Sequence, residues 1–499
     1  TDRQTDRQTD KNEKNFIDAS GKIPNGILMG NLADLGSYHQ CLSIQYLESD
    51  LDIKGKYCLI HVPLKQNIRI GNTQAPDISD VVKLWPSLQN STIENIEKDY
   101  VSIKRYKKNN LIKNFFTFSD NTQIDRVYRC FSIHTNTKRL LSFNNGPSAL
   151  ECVDGIRAIS MLWIIFGHTY SFTAVNFISN AIQILKWLTS FRSIWVNSAP
   201  ISVDTFFMLS GILCVYTVIG KMNRSKFIRS LHLFYLYRLL RIFPLLAAVI
   251  LLQASLLHRV SDGPMWVNVG YSAESCRRRW WSALLHVQNY VKPIDLCLQH
   301  TWYLSVDVQL YIISPVVLVW LFGSAVVAWC SLATSVIVSL AISSVYNQIG
   351  DYFVNYYSNT LTRASPFFIG MMYGYLLHKF KGKNLRMQRG LVAILWTLSL
   401  ALMAFCIFSI YPIMQTDYDK QMFDNFLNAF MRGIWAMAMG WLIFACVHGP
   451  INWFLSLQIW KLPARLSYAM YLIHYPLIQI ADGSMTSTYH FSDSNTVSR

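Results

Sequence analysis

Beyond residue 150 the chain is a succession of apolar segments, each about as long as a bilayer's hydrocarbon core is thick. Inside a bilayer the backbone has no water to satisfy its N–H and C=O groups, so spanning segments of this length form helices. We therefore expect an all-α fold, a polytopic transmembrane helical bundle with about nine spans in this sequence. The predicted spans lie near residues 156–176, 203–220, 241–257, 303–322, 324–345, 364–378, 391–411, 433–448 and 466–481.

Composition agrees with a membrane protein and excludes several other classes. The 499 residues are 52% hydrophobic and only 15% charged, which is too apolar for an average soluble protein. A net charge of +16 would suit nucleic acid if it sat on one polar domain, but much of it lies in short runs beside apolar segments. The ten cysteines include no CxxC pair and no metal-ligand spacing. We therefore expect neither a nucleic-acid partner nor a metal site.

The part of the chain before residue 150 is polar and contains no run that could cross a bilayer. It opens with a tandem repeat, TDRQTDRQTD, and we treat residues 1–25 as low-complexity sequence or a gene-model artefact. Cys41 and Cys58 mark a small cysteine-containing region, where either a disulfide or two free thiols fit the spacing. The remaining divisions are a partial amino-terminal region and linker at 26–127, a cytoplasmic linker at 128–155, the transmembrane domain at 156–481 and a polar, truncated tail at 482–499.

The charges between the spans predict the side of the membrane on which each loop lies. Two basic segments, Lys221–Arg241 and residues 379–389, contain no acidic residue and should be cytoplasmic by the positive-inside rule. The loop at 258–302 then falls on the opposite side, where Cys276 and Cys297 could form a disulfide.

This alternation leaves a gap in the topology. If the amino-terminal cysteines are paired in an oxidising compartment, the chain must cross the membrane before residue 128, yet nothing there is apolar enough. Either that region is cytoplasmic and reduced, or a signal sequence and one span are missing. A closing span after residue 481 is also missing, so we expect ten or more spans in a complete chain.

Two ionisable residues within the first apolar segment point to a functional site. Arg157 and His168 are eleven residues apart, which places them on one helix face, ~16 Å from each other. An ionisable group at membrane depth costs at least ~2.5–3.5 kcal/mol, so such groups usually mark a site inside a bundle. The alternative is an arginine that snorkels from the helix end and a histidine satisfied by a backbone carbonyl.

Four further residues are candidates for binding or catalysis. Arg238 and Arg241 lie three residues apart before the third span, and guanidinium groups suit the phosphates of a nucleotide-bearing donor. Their alternative role is to enforce the positive-inside rule. His300 and Asp307 are seven residues apart on one helix face and could form a second polar site that orients His168 or the acceptor. The alternative is a hydrogen-bonded pair that only holds the helix in place. His474, a lone histidine in the last span, is interpreted as structural.

Several motifs in order resemble the acyltransferase-3 membrane family, and the flanking segments resemble its animal branch, the nose-resistant-to-fluoxetine proteins. The similarity covers residues 128–478, and the Cys41–Cys58 region also points to that branch. Asp307 stands where bacterial members usually carry glutamate. The motifs are Arg157-x10-His168, residues 202–211 (SVDTFFMLSG), 237–244 (YRLLRIFP), 300–311 (HTWYLSVDVQLY), 363–370 (RASPFFIG) and 466–474 (LSYAMYLIH).

Acyl transfer from a thioester needs a base for the nucleophile and stabilisation of the developing charge. His168 is the natural base because imidazole titrates near neutral pH, and the resemblance implies the same role, with Arg157 in support. We therefore predict an integral, multi-pass membrane acyltransferase of the plasma membrane or endoplasmic reticulum, surrounded by membrane lipids. Its co-substrate would be acyl-CoA, with no bound cofactor, and its acceptor would be lipid-like or a glycan.

A competing hypothesis is a lipid or drug transport protein on the same scaffold, without turnover. The sequence lacks the His-x4-Asp pattern of glycerolipid acyltransferases, a Gly-x-Ser-x-Gly elbow and a P-loop, which disfavours a hydrolase or an energised pump.

Overall fold

The computed structural model describes residues 45–48, 51–54, 132–142, 150–175, 178–348, 352–383, 385, 387–449 and 452–492. The chain divides into two compact units, residues 60–142 and the remainder. One described helix, α1 (Ile133–Leu141), belongs to the first unit. The repeat at 1–25, the cysteines Cys41 and Cys58 and most of the expected linker lie outside the described residues.

A short antiparallel hairpin is the strand structure of the described residues. Strand β1 (Gln45–Glu48) pairs with β2 (Leu51–Lys54), with Glu48 opposite Leu51. All other regular elements that the structure describes are helical, as the apolar segments predict.

Helices follow one another through the second unit from residue 151 onward. Short 3-10 turns at Phe191–Ser193, Leu257–Arg259, Gln299–Thr301 and Gln458–Trp460 and a π-helical turn at Tyr352–Tyr357 connect some of them. The helices are α2 (Glu151–Val175), α3 (Ala181–Leu188), α4 (Ile194–Asn197), α5 (Ile201–Val218), α6 (Arg224–Arg229), α7 (Leu231–Ser255), α8 (Trp266–Leu284), α9 (Trp302–Leu321), α10 (Ala325–Tyr346), α11 (Ala364–Lys379), α12 (Arg389–Phe408), α13 (Ile410–Ile413), α14 (Gln421–His448) and α15 (Lys461–Gly483).

Each of the nine predicted spans falls on one of these helices, namely α2, α5, α7, α9, α10, α11, α12, α14 and α15. Six helical segments of the described chain are both long and apolar enough to cross a membrane. The number of spans beyond six therefore stays a prediction. The six segments are Phe191–Val218, Leu231–Ser255, Gln299–Leu321, Ala325–Tyr346, Arg389–Ile413 and Gln421–His448.

The predicted loop at 258–302 contains a helix that the span prediction overlooked. Helix α8 is too polar to read as a span, yet it buries Val269, Ala273, Cys276 and Ala283, whose spacing of four, three and seven residues is that of one helix face. Cys276 forms a disulfide with Cys297, which confirms the predicted pairing.

The start of the third predicted span, at residue 241, was placed too late. Helix α7 begins at Leu231, so Arg238 and Arg241 lie on its second and third turns rather than in a loop. The positive charges alone suggested a loop, whereas the leucine and aromatic residues between them sustain the helix.

Helices α5 and α11 pack with their backbones in close contact. A Cβ atom added at Gly370 would overlap the Met208 carbonyl, and one added at Gly211 would overlap the Phe367 carbonyl. Small residues at such a crossing let two helices approach closely. Helix α5, held in this contact, also lines the cavity that is described below.

Candidate functional site

All six residues singled out in the sequence line one cavity. Its volume is about 930 Å³, within the usual range of small-molecule sites, and α2, α5, α7, α9 and α15 contribute to its walls. The six residues are Arg157 and His168 on α2, Arg238 and Arg241 on α7, His300 in the turn before α9, and Asp307 on α9.

His168 is hydrogen-bonded to a second histidine. Its Nδ1 lies 2.8 Å from Nε2 of His474 on α15, and Nδ1 of His474 lies 3.0 Å from the Met470 carbonyl oxygen. A carbonyl only accepts, so Nδ1 of His474 carries a proton, and in neutral His474 the Nε2 atom is an acceptor. His168 then donates from Nδ1, which leaves its Nε2 unprotonated. This chain of bonds selects the tautomer in which His168 can act as a base at Nε2.

The third histidine of the cluster is buried without a polar partner. His300 is 5% exposed, and among the described residues neither of its ring nitrogens has a hydrogen-bond partner. Its ring lies 5.1 Å from that of His474 and 4.8 Å from that of Tyr475. Tyr471 donates a hydrogen bond of 2.6 Å to the His300 carbonyl and so orients the turn. A buried imidazole with free nitrogens is prepared to bond a ligand or water.

Asp307 bonds to Arg238 and not to His300, so the alternative of a hydrogen-bonded His300–Asp307 pair is not formed. The Arg238 guanidinium donates to a carboxylate oxygen of Asp307 and, at 3.2 Å, to the Ser210 hydroxyl. It also lies 4.7 Å from the centre of the Tyr311 ring. The arginine of α7 is thus held in place between α5 and α9.

The ionised groups that line the cavity are unbalanced in charge. Arg157, Arg238 and Arg241 stand against one carboxylate, Asp307, which leaves two positive charges in excess. Arg241 is exposed as well as cavity-lining, so it lies toward an opening. An excess of guanidinium groups at a cavity favours an anionic ligand.

Arg363, at the start of the 363–370 motif, lies outside the cavity in a buried ion pair. Arg363 donates bonds of 3.0 and 3.1 Å to the two carboxylate oxygens of Asp204 and one of 2.8 Å to the Tyr357 carbonyl. Both side chains of the pair are 2% exposed. Neither residue lines the cavity, so this pair joins α5 to the start of α11 and belongs to the scaffold.

Sequence reasoning missed the part that His474 takes in the site, because a lone histidine in an apolar helix was interpreted as structural. The signal was the same one that singled out His168, namely an ionisable side chain within a predicted span. Among the described residues, no group of three or more His, Cys, Asp or Glu side chains could hold a metal ion.

The fold and the cavity define a class of protein with membrane-length helices around an interior cavity that carries an excess of positive charge. Comparison with known families then identifies it. Residues 150–496 match the acyltransferase-3 family profile, whose description is "Acyltransferase domain". Residues 7–130 match "Nose resistant-to-fluoxetine protein, N-terminal domain". The chain belongs to the acyltransferase-3 family and carries the amino-terminal domain of the nose-resistant-to-fluoxetine proteins, which confirms the resemblance seen in the motifs.

Individual relatives are distant. The chain is 27% identical over 407 residues to Nose resistant to fluoxetine protein 6 of Caenorhabditis elegans, covering 72% of this chain and 49% of that protein. It is 24% identical to Regulator of hypoxia-inducible factor 1 of the same organism, covering 71% and 75%. It is 24% identical to a Staphylococcus aureus (strain COL) protein named for an expected O-acetyltransferase activity, covering 68% and 53%.

The chain spans about half the length of the first of these relatives, and no solved structure matches it.

Proposed function

We propose that this chain is a multi-pass membrane acyltransferase that moves an acyl group from an acyl-CoA-type donor to a hydroxyl of a lipid-like or glycan acceptor. Family membership supports the reaction class. The observation that carries the mechanism is the hydrogen-bond chain from His168 through His474 to Met470 at the wall of the cavity. That chain supplies a histidine with one free, unprotonated nitrogen inside an apolar bundle.

In the proposed step the acceptor oxygen attacks the thioester carbonyl carbon, and its proton passes to Nε2 of His168. The tetrahedral intermediate collapses with cleavage of the C–S bond. The leaving thiolate takes the proton from His168, so the products are an ester and a free thiol. His474 holds the His168 ring in one tautomer and shares the positive charge that develops on it.

Arg157 supports this step by its position. It lines the same cavity as His168 but lies about three helical turns away on α2, so its guanidinium supports the developing negative charge through long-range positive potential and not through direct contact. Arginine acts without proton transfer, since it stays charged at any ordinary pH.

The phosphates of the donor would bind at the other arginines. Arg241 lies toward an opening of the cavity, and Arg238 adds a second guanidinium one helical turn away. Guanidinium groups suit phosphate oxygens by geometry and charge. Since the positive-inside rule predicts a cytoplasmic location for the chain around residues 221–241, the donor would enter from the cytosol, in the plasma membrane or the endoplasmic reticulum.

The experiment compares wild type with His168→Ala in lipid nanodiscs, with the full-length protein and radiolabelled acetyl-CoA or longer acyl-CoAs. We expect thioester turnover and label transfer to fall by about 10²–10⁴-fold, the usual contribution of a general base. His232→Ala, on an exposed histidine of α7 that does not line the cavity, is the matched control and should retain wild-type rates. Equal rates in His168→Ala and wild type would refute the assignment of His168.

Substitution of His474 examines the tautomer argument separately. Glutamine retains an acceptor for the Nδ1–H of His168, whereas leucine does not. We expect His474→Leu to lower kcat by about tenfold or more and His474→Gln to recover part of the loss, with KM for the donor little changed. Wild-type activity in both variants would separate His474 from catalysis, and equal losses in both would refute the tautomer argument.

A second candidate function is transport of a lipid or drug without turnover. The size and largely apolar lining of the cavity favour it, because such a space also suits a hydrophobic cargo. Transport need not depend on a titratable imidazole. Absence of donor turnover in wild type, with cellular uptake unchanged in His168→Ala, would replace the acyltransferase proposal with this one.

A further inference from the structure

A second cavity, of about 330 Å³, lies between helices α8 and α15. Tyr475 separates it from the histidine cluster, since this residue lines the second cavity while its ring lies 4.8 Å from that of His300 and 6.4 Å from that of His168. Phe172, one turn after His168 on α2, lines the same wall and packs edge to face on Tyr475 at 4.8 Å. Displacement of these two rings would join the two cavities beside His168.

The lining of the second cavity differs in chemistry from that of the first. About half of its lining is polar, from amide, hydroxyl and carboxylate groups, and among the described residues that line it there is no lysine or arginine. Such a site suits a neutral ligand with several hydroxyl groups and does not suit a phosphate. The polar lining residues are Asn268, Ser272, Ser275, Asp295, Gln299, Gln479 and Asp482.

Hydrogen bonds orient several of these polar groups. The buried amide of Gln253 donates to Ser272 at 2.8 Å and to Gln479 at 3.0 Å, and Gln479 donates to Ser272 at 3.1 Å. A hydrogen bond from Ser275 and the nearby Arg279 guanidinium keep the pKa of Asp295 below its usual range, so its carboxylate is ionised. Because these side chains are already ordered, a ligand that binds them incurs a smaller cost in side-chain entropy.

The disulfide places this cavity on the oxidising side of the membrane. Cys276 follows the lining residue Ser275, and Cys297 follows the lining residue Leu296, so the Cys276–Cys297 bond joins two of its walls. Disulfides persist in extracellular and lumenal compartments and are rare in the cytosol. A ligand of this cavity would therefore come from the side opposite to the cytosolic donor.

We propose that the cavity between α8 and α15 binds the hydroxyl-rich head of the acyl acceptor, a sugar or polyol. This proposal rests on the acyltransferase function proposed above and assigns the acceptor side of the same site. Its size, at the lower end for small-molecule sites, admits a single sugar ring and not a nucleotide donor. The acceptor hydroxyl reaches Nε2 of His168 when Tyr475 moves aside.

The test measures binding and is independent of turnover. Radiolabelled octyl β-D-glucopyranoside, kept below its micelle concentration, is titrated onto the full-length protein in nanodiscs, with empty nanodiscs as background. Unlabelled methyl β-D-glucopyranoside and 1-octanol are added as competitors in parallel assays. Competition by the methyl glucoside would show that the protein binds the sugar, and competition by octanol would show that it binds the apolar tail. We expect methyl glucoside to compete with the labelled octyl glucoside and octanol to have no effect.

Two variants assign the binding to this cavity. Gln479→Leu and Asn268→Leu should each weaken glucoside binding by about 3- to 10-fold, the value of one or two net hydrogen bonds. Asn268 is exposed at the rim, so its substitution leaves the fold intact if Gln479→Leu fails to fold. Gln421→Leu makes the same change on an exposed residue that lines neither cavity and should bind as wild type does.

The outcomes separate this proposal from the proposed function. No glucoside binding in wild type, unchanged affinity in both variants, or competition by octanol equal to that by glucoside would each overturn the acceptor site. Glucoside binding in His168→Ala equal to that of wild type supports it. If glucoside binds as expected and no acyl donor is turned over, the acyltransferase function fails while the sugar site stands.

Discussion

Two buried or partly buried arginine–aspartate pairs join helices in the part of the chain that the structure describes, and their surroundings differ. Arg363 and Asp204 are each 2% exposed and share two hydrogen bonds of 3.0 and 3.1 Å. The guanidinium of Arg363 also lies over two aromatic rings, at 5.1 and 4.5 Å from their centres. Arg238 and Asp307 pair at the wall of the large cavity, where their side chains are 23% and 5% exposed.

The second pair contains buried atoms without hydrogen-bond partners, and among the described residues no such atom is found in the first pair. Among the described residues, Nε of Arg238 and Oδ1 of Asp307 are buried without a hydrogen-bond partner, whereas Nε of Arg363 donates to the Tyr357 carbonyl. A saturated pair stabilises the arrangement of helices, and an unsaturated pair beside a cavity can bond a ligand. The difference separates two arginines that look alike in the sequence.

Substitution of Arg363 should have the largest effect on folding. Arg363→Leu leaves Asp204 charged and buried, and we expect a loss of about 3–5 kcal/mol in the free energy of unfolding. Denaturation in mixed detergent micelles measures this loss. The double variant Arg363→Leu with Asp204→Leu should recover part of it, because no uncompensated charge remains. A loss under about 1 kcal/mol in the single variant would show that the pair is not structural.

A smaller effect on folding is expected at the nearby helix contact. Gly370→Ala forces α11 away from the Met208 carbonyl and should lower the free energy of unfolding by about 1–3 kcal/mol, the usual range for overpacking. Gly390→Ala on α12 is the matched control, because no atom lies within 4 Å of the added methyl group. Equal stabilities of the two variants in the same denaturation assay would contradict the close packing of α5 and α11.

The smallest effect on folding and the clearest on binding should come from Arg238. Lysine keeps the charge but cannot reproduce the fork of the guanidinium, so we expect Arg238→Lys to raise KM for acyl-CoA by about tenfold, or 1.4 kcal/mol. Stability should stay close to that of wild type. Steady-state kinetics in nanodiscs measure the change, with Arg229→Lys on the exposed helix α6 as control. An unfolded Arg238→Lys protein, or an unchanged KM, would place this pair in the same category as Arg363–Asp204.

Much of this could be predicted from the order of the amino acids, for identifiable reasons. Apolar runs of span length admit few structures other than helices, so all nine predicted segments fall on helices. Charged and histidine side chains are expensive within such runs, so the six that were singled out were good site candidates, and all six line one cavity. Other ionisable residues of the predicted spans, such as Asp204 and His474, do not line it. Helix α8 was not predicted because it is amphipathic and too polar for a span. The spacing of its buried residues is nevertheless that of a helix.

The sequence by itself determined the helical architecture, the candidate residues and the chemistry that they offer. Only the tertiary structure decided the partners of those residues. Asp307 bonds to Arg238 and not to His300, and Arg363 bonds to Asp204. His168 bonds to His474, which lies 306 positions away in the chain. Helical periodicity places a side chain on a face, but the helix opposite that face is chosen by packing over the whole bundle. A hydrogen bond, whose geometry holds only within a few tenths of an ångström, exists after that packing is complete.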